Sequence, residues 1–599
     1  MIDFKTNYVE SVDIKDVWRE VMWLCVRQGY DFVVKGGSYV GQIRKQLPIA
    51  VLRIKEPGKR PLAPIVPPPW PSRQIIRAPS VVEGLFSLNF YGILSLMNKE
   101  ILRNNMEKVA QKLGLDKTKF NIASEEKFGH YSANLMMIKT SSAEARKMSP
   151  NEFAEKFKDE LSKLKAIKEI MDKIEIAGSG YLNFWLKPES IQKDFVEIFK
   201  KKAQWGKLIK GERKTVVIDY SHPNIAKPMS VAHLRSTIIG QAFYNIFKFR
   251  GWRTIGDNHL GDWGKQFGIL IAAFKQSDLK NKKDFKIEDL MNLYVDYAAR
   301  MKNNSELEDK AREETKKLQL EDKENIKIWK KFYKISLNEF KKVYKRLDIK
   351  FDYYLGESFY NPMLEGIVND ALKNGVARIS EGAVVIPMDN NQPPFIIRKS
   401  DEAYLYSTTD LAAIKYRMKK FKTDLVLYVV DNGQSLHFEQ LFKSAEKLGL
   451  AGKEKLFHVK FGLVLSEDLK KLSTRAGRHI SLQEVIDEAV SRARKVAEEK
   501  QPDLESKEKQ KIAEAIGIGA LKYNDLSQNR MSDIAFKWEK MLNLEGNSAP
   551  YLQYTYARLK SILRKAKPVV RFDQKFLNSE IETEIILRLS EFPDILDLV

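Results

Sequence analysis

A single cysteine, Cys25, in a chain of 599 residues rules out an internal disulfide framework and any zinc site built on several thiolates. Such a chain fits a reducing compartment, and a cytoplasmic location is expected. The seven histidines are scattered rather than grouped, so no metal site of protein origin is expected. No basic segment leads into an apolar signal core at the start, and no apolar run reaches bilayer-spanning length. No membrane partner is expected. Internal repeats and extended low-complexity segments are lacking as well. Acidic residues are outnumbered, 79 Asp and Glu against 102 Lys and Arg, which gives a formal charge of +23. That excess fits a polyanionic partner, usually nucleic acid, and it also fits a merely lysine-rich protein. Motifs have to decide between the two. The length implies several domains, because single cores rarely grow beyond roughly 250 to 300 residues.

The most informative stretch runs from Val216 to Leu270. The apolar run Val216 to Ile218 reads as a buried parallel strand, and a helical pattern begins near Val231 and continues through Phe247. A strand–loop–helix junction at the carboxyl edge of a sheet presents backbone N–H groups and a helix amino terminus to anions such as phosphates. The loop carries Ser221, Pro223, Asn224, Ala226, Lys227 and Pro228, then Ser230-Val-Ala-His233-Leu-Arg-Ser-Thr-Ile-Ile-Gly240. Asn258-His-Leu-Gly-Asp-Trp-Gly264 and Gln266-Phe-Gly268 follow. Together these adjoining blocks resemble the signature region of the class I arginyl-tRNA synthetases. Two positions depart from the family pattern: its first histidine is Ser230 here and its glycine is Ala232, while its second histidine is retained as His233.

The resemblance covers about Lys99 to Val599 and implies ligation of L-arginine to tRNA(Arg) through an arginyl-adenylate, with ATP and its Mg²⁺ as cofactors. It implies an α/β fold: a doubly wound, Rossmann-type catalytic domain, a small α/β amino-terminal domain and an all-helical carboxyl-terminal domain. Both chemical steps need positioning and charge stabilisation more than covalent catalysis. By the motifs, ATP is bound by Ser230, Ala232, His233, Lys470, Lys471 and Ser473. The catalytic set is Lys227, Ser230, His233, Lys471 and Arg475. Lys470-Lys471-Leu-Ser-Thr-Arg475 is similar to the family's mobile clamp loop, with Thr474 in place of a second lysine. The block Tyr404 to Ala413 is similar to the substrate-binding helix, which assigns Asp410 to the guanidinium with Tyr406 one turn earlier on the same face. Gln434 is expected to line that pocket. Asp219 and Asn224 match positions that hold the α-amino and α-carboxylate groups. A hydroxyl at 230 cannot supply a cationic donor as an imidazolium can, and Ala232 adds a methyl beneath the adenine. These two changes, with a shortened carboxyl-terminal domain, leave a non-catalytic RNA-binding paralogue as the alternative.

Residues 1–98 have a different texture, with a helix expected near Val12 to Gln28 and a proline tract from Pro61 to Pro71 that excludes helix and central strand. The run from Lys35 to Pro68 resembles the amino-terminal part of some thymidylate synthases, but no nucleophilic cysteine motif follows. An added nucleotide-related activity is therefore disfavoured. Residues 99–190 are expected to form the tRNA-contacting amino-terminal domain, with Gly178 and Gly180 in a turn between strands. Residues 211–533 would be the catalytic domain, with a charged helical insertion over about 284–345 and short strands after Val376. Residues 534–599 would begin the anticodon-binding domain. There Tyr551, Arg558 and Arg564 either stack on and neutralise RNA or pack the bundle. The unmatched beginning and early end lead to the expectation of a fused or truncated reading frame. A monomer is favoured, the oligomeric state being unread.

Overall fold

The computed structural model describes residues 97–597 apart from 117–121, 124–127, 209–213, 390–391, 466–479, 545, 567–572 and 574–576. The expectations for residues 1–96, and those for Lys470, Lys471, Ser473 and Arg475, lie outside the described residues. The described chain divides into two compact units, one within 210–552 and the other joining residues within 97–209 to those from 553 onward.

In the second unit, α1 (Asn98–Lys112) precedes β1 (Ile122–Ala123) and β2 (Tyr131–Asn134), and α2 (Pro150–Ser162) precedes β3 (Met171–Ala177) and β4 (Tyr181–Leu186). The helix α2 starts where it does because Ser149 and Glu152 form a reciprocal capping box and Pro150 takes the first helical position. The strands form an antiparallel sheet in the order β1-β2-β4-β3. Gly178 and Gly180, at φ 52° and 91°, supply the tight β3–β4 turn as expected. Helix α3 (Pro188–Lys201) follows, and Glu580–Ser590 packs onto it. Leu577 and Ile586 thus share a core with Tyr131, Phe153 and Phe184, and the indole N–H of Trp205 donates to the Leu589 carbonyl at 2.8 Å.

The larger unit is built on a parallel sheet of β5 (Thr215–Asp219), β6 (Arg253–Asp257), β7 (Leu425–Tyr428) and β8 (Leu456–His458), in the order β8-β7-β5-β6. Every residue of β5 is buried, as befits a strand covered on both faces. Its alternation sends Val216 and Ile218 into one core and Val217 into another. The strand order reverses at β5. Such a switch point opens a crevice at the carboxyl ends of the strands, where Asp219 lies in register between Asp257 and Tyr428.

The helices that frame the crevice are α4 (Ala232–Phe249) and α5 (Lys265–Gln276), the inserted α6 (Ile287–Met301), α7 (Ser305–Gln319) and α8 (Lys323–Arg346), then α9 (Glu357–Lys373), α10 (Tyr406–Phe421) and α11 (Ser435–Lys447). The insertion is helical, but α8 also walls the main core, burying Phe332, Phe340, Val343 and Tyr344 beside Val216 and Ile218. Its sequence is amphipathic rather than charged all round. A small antiparallel sheet of Arg378–Ser380, Ala383–Ile386 and Phe395–Arg398 precedes α10. Helices α12 (Leu482–Lys500) and α13 (Ser506–Leu526) pack together behind α4, and α14 spans Ala549–Lys565. No described helix is long and apolar enough to cross a membrane.

Candidate active site at the carboxyl edge of the parallel sheet

The loop between β5 and α4 is strained. Ser221, His222 and Ala226 sit at φ 82°, 51° and 62°, conformations costing on the order of 1 kcal/mol each for side-chain-bearing residues. A hydrogen-bond network holds them there. Ser236 Oγ accepts from the Ser221 N–H at 2.8 Å and donates to the Val429 carbonyl at 2.6 Å. Thr237 Oγ1 lies 2.8 Å from Ser221 Oγ, which also meets the Tyr344 hydroxyl at 2.8 Å. The Ala226 N–H donates to Ser336 Oγ of α8 at 2.8 Å. Asn224 pairs with Gly261 as an isolated parallel bridge, and its side-chain oxygen occupies the space that a Cβ at 261 would take. Glycine at 261 is therefore a steric requirement for the position of Asn224.

Behind the loop lies a buried ionic triad. The Arg417 guanidinium of α10, fully buried, reaches Asp219 Oδ2 and Asp257 Oδ2, each at 2.8 Å, and His222 Nε2 donates to Asp219 Oδ1 at 2.7 Å. Burial alone would raise the Asp219 carboxyl. Arg417, then His222, overcome that and hold it well below the usual carboxylate range. Asp257 Oδ1 and Asn258 Oδ1 are buried acceptors with no hydrogen-bond partner.

Tyr406 and Asp410 come together as the spacing predicts, on the first turn of α10. Its amino terminus is pinned by Ser407 and Thr408, whose hydroxyls donate to the Ile396 and Ile397 carbonyls. A third residue joins them: His437 of α11 donates from Nε2 to Asp410 Oδ2 at 2.7 Å, and its ring centre lies 4.9 Å from that of Tyr406. Gln434 stands exposed one turn ahead of His437. Glu357, at the first position of α9, is pushed up to about 8 by burial and by the neighbouring charges of Asp262 and Asp410, against an opposing hydrogen bond from the Trp263 backbone. Asp262 is buried and accepts from the Ser358 N–H at 2.8 Å and hydroxyl at 2.7 Å. A carboxyl so perturbed, within the field of two others, is suited to receiving a cation.

At the amino end of α4, the Ser230 N–H lies 3.0 Å from His233 Nδ1, and the Ser230 hydroxyl and carbonyl oxygens each lie 3.1 Å from it. The amide suits an unprotonated Nδ1 and the carbonyl a protonated one, so these contacts fit either neutral tautomer. Burial pushes His233 down to about 4, with Ser230 opposing and His222 adding to the shift, and the ring is a neutral donor at pH 7. Ala232 opens α4 with an exposed side chain. Lys227 reaches over the Tyr294 ring at 4.9 Å. Backbone bonds tie this loop to the start of α12: Val231 N–H to the Ile480 carbonyl at 3.2 Å, and Leu482 N–H to the Met229 carbonyl at 2.7 Å. Arg235, fully buried, donates to the Gly462 and Ser532 carbonyls at 2.8 Å and pairs with Asp525 at 3.3 Å. The chain entering and the chain leaving 466–479 are both anchored to α4.

Tyr551, Arg558 and Arg564 share α14. Arg558 donates to the Tyr554 hydroxyl at 2.7 Å and stacks 5.7 Å over that ring, while Tyr556 is buried. Part of this interleaved set therefore packs within the helix and its core. Sequence reading missed Arg417, Asp257, His222, His437 and Glu357. His437 lies three residues beyond Gln434, the residue expected to line the pocket. Arg417 sits among Lys415, Lys419, Lys420 and Lys422, where nothing but burial distinguishes it.

Residues 195–538 match the family model of the class I tRNA synthetase catalytic domain of arginine type, residues 98–186 that of the arginyl-tRNA synthetase N-terminal domain, and residues 552–599 that of the DALR anticodon-binding domain. The chain is similar to the arginine–tRNA ligase of Fusobacterium nucleatum, with 41% identity over 81% of this chain and 83% of that one. It is likewise similar to the arginine–tRNA ligase of Chromobacterium violaceum, with 38% identity over 80% and 83%. Among solved structures, arginyl-tRNA synthetase from Plasmodium falciparum superposes with a TM-score of 0.69 at 30% identity, covering 83% of this chain and 86% of that one. The Thermus thermophilus arginyl-tRNA synthetase gives 0.67 at 22% identity, covering 84% and 87%, and speaks for the fold alone.

Proposed function

The chain belongs to the class I arginyl-tRNA synthetase family, and from that premise we propose how its own residues ligate L-arginine to tRNA(Arg). In the first step the arginine α-carboxylate attacks the α-phosphorus of ATP and the bond to pyrophosphate breaks. In the second, a ribose hydroxyl of the terminal adenosine attacks the acyl carbon and AMP leaves. Asp410 receives the guanidinium, with Glu357 as a second carboxylate and Tyr406 against its plane, because fork geometry rewards paired acceptors. Gln434 lines that pocket, and Asp219 and Asn224 hold the α-amino and α-carboxylate ends.

Ser230, Ala232 and His233 form the floor for ATP, with the neutral His233 donating from Nε2 to a phosphate oxygen. Lys227 and, from the clamp loop, Lys470, Lys471, Ser473 and Arg475 meet the pyrophosphate as charge develops on it. Mg²⁺ enters with the nucleotide. Tyr551, Arg558 and Arg564 contact tRNA, the protein acts as a monomer, and it works in the cytoplasm. The observation that carries this reading is the juxtaposition at one switch point of a strained, donor-lined loop and a pocket holding Asp410 beside the proton-retaining Glu357. Arginine-dependent exchange of pyrophosphate into ATP, measured with and without tRNA(Arg), tests it. Exchange and charging with arginine are expected; exchange driven equally by lysine, or none with tRNA present, would overturn the reading.

A further inference from the structure

Helix α8 carries nine Lys and Arg against two Glu. Six of its seven exposed lysines, Lys323, Lys327, Lys330, Lys334, Lys341 and Lys345, recur at intervals of three and four residues, with one gap of seven; the seventh, Lys342, lies off this line and pairs with Glu339 at 2.6 Å. At about 100° per residue they fall within an arc of about 60°, and they run for about 33 Å along the helix. Among the described residues none of the six enters an ion pair; Lys341 alone has a neighbour of note, the Tyr354 ring at 5.3 Å.

The adjacent α7 is an internal control. It is equally charged but self-neutralised: Lys310 pairs with Glu306, Arg312 with Glu308 and Lys317 with Glu313, at 2.6 to 2.8 Å. Like charges three and four apart oppose helix formation, so α8 is held by its buried face and keeps its stripe against local preference. An ordinary solvated face has the composition of α7, not of α8.

We infer that the α8 stripe is a docking rail for the phosphate backbone of the tRNA arm that carries the acceptor end. The inference rests on the charging function proposed above. Lysines are strongly hydrated point charges suited to sequence-independent phosphate contacts, which fix register without reading bases. No large apolar side chain interrupts the stripe, as a protein-binding face would require. The buried side of α8 touches the catalytic loop directly, through Ser336, opposite the stripe, to the Ala226 N–H and through Tyr344, on its flank, to Ser221, each at 2.8 Å. The stripe therefore stands about one helix diameter, about 10 Å, from the loop that handles ATP. A backbone riding on it is held close to the reacting end.

The test is the triple variant Lys327→Gln, Lys330→Gln, Lys334→Gln in the full chain, set against Lys310→Gln, Lys316→Gln, Lys317→Gln on α7. Binding of tRNA(Arg), and of isolated acceptor-arm and anticodon-arm hairpins, is followed by fluorescence anisotropy across salt concentrations. Losing three duplex phosphate contacts makes the slope of log K against log salt shallower by about 2.7. The α8 variant should show that change and bind tRNA and the acceptor-arm hairpin about tenfold more weakly near 0.1 M salt. Its KM values for arginine and ATP should stay within about twofold of the parent. An unchanged slope, an equal loss in the α7 variant, or a loss confined to the anticodon-arm hairpin would overturn the rail. Binding is read without ATP or arginine. A parent that binds tRNA but does not charge it would remove the functional reading while the slopes still decide the stripe.

Discussion

The two sides of the crevice solve opposite electrostatic problems by different means. On the amino-acid side, carboxylates are matched by protein groups before any ligand arrives: the Arg417 cation and a hydrogen bond from His222 on Asp219, and a hydrogen bond from His437 on Asp410. On the phosphate side the loop holds few fixed charges. It relies instead on strained backbone, on the start of α4, and on a His233 kept neutral by burial. Under the proposed function, the difference follows from the ligands. A guanidinium needs buried negative charge, and unpaired charge in a core is costly enough that the protein must supply partners. Phosphates need directed N–H groups, which backbone geometry can fix without ionic burial.

The comparison breaks most severely at Arg417. Arg417→Met leaves Asp219 and Asp257 buried without their shared cation, which should destabilise the catalytic unit by about 3 to 5 kcal/mol, read as a fall in the urea midpoint of the full chain. The part of the pH dependence that Asp219 contributes should also change sign. In the parent, Asp219 lies below its unfolded value of about 4, so its contribution is present above that pH and is lost as the solution becomes more acid. Without Arg417, burial raises the carboxyl, and the variant should gain stability relative to the parent as pH falls. An unchanged midpoint would mean that the triad does not hold the edge of the sheet.

Next in size is Asp410→Asn. The amide turns a donor toward the guanidinium, and kcat/KM for arginine should fall by at least about 2 kcal/mol, roughly thirtyfold, while KM for ATP stays put. A fall of less than about threefold would move recognition from Asp410 to Glu357.

Much of this site was legible in the sequence because its parts lie in contiguous blocks. The strand–loop–helix order, the Tyr406–Asp410 spacing and the turn at Gly178 to Gly180 follow from local periodicity and φ preferences. What escaped depends on burial between distant segments. Glu357 opens a helix like many surface glutamates, and its perturbation comes from burial and then from Asp262 and Asp410, which lie far away in sequence. The serine and threonine that follow Arg235 read as a family signature, yet their work is to hold Ser221 in a conformation that no sequence pattern announces. The amphipathicity of α8 was hidden under its lysines.

A smaller effect separates the two carboxylates of the pocket. Glu357, up at about 8, is mostly protonated at pH 7, and a bound guanidinium favours its ionised form. Arginine binding should therefore release close to one proton at pH 7, and affinity should rise with pH up to about 8 by no more than about tenfold per unit. Calorimetry in two buffers of different ionisation enthalpy measures the release directly. Glu357→Gln should abolish it while Asp410 still binds. A parent that releases no proton would place Glu357 outside the field of the ligand.

The smallest expected effect sharpens the phosphate side. Ser230 holds His233 Nδ1 with its backbone N–H at 3.0 Å and its hydroxyl at 3.1 Å. The backbone N–H and carbonyl survive any substitution, so both of their contacts to Nδ1 should survive in Ser230→Ala. Loss of the hydroxyl removes one neutral contact, about 1 kcal/mol, and single-turnover adenylate formation should slow by no more than about fivefold. Its pH profile should not move, because burial, the main cause of the lowered His233, is untouched. A loss of a hundredfold or more would mean that the hydroxyl itself meets the nucleotide, and that this side of the crevice depends on side chains as heavily as the amino-acid side does.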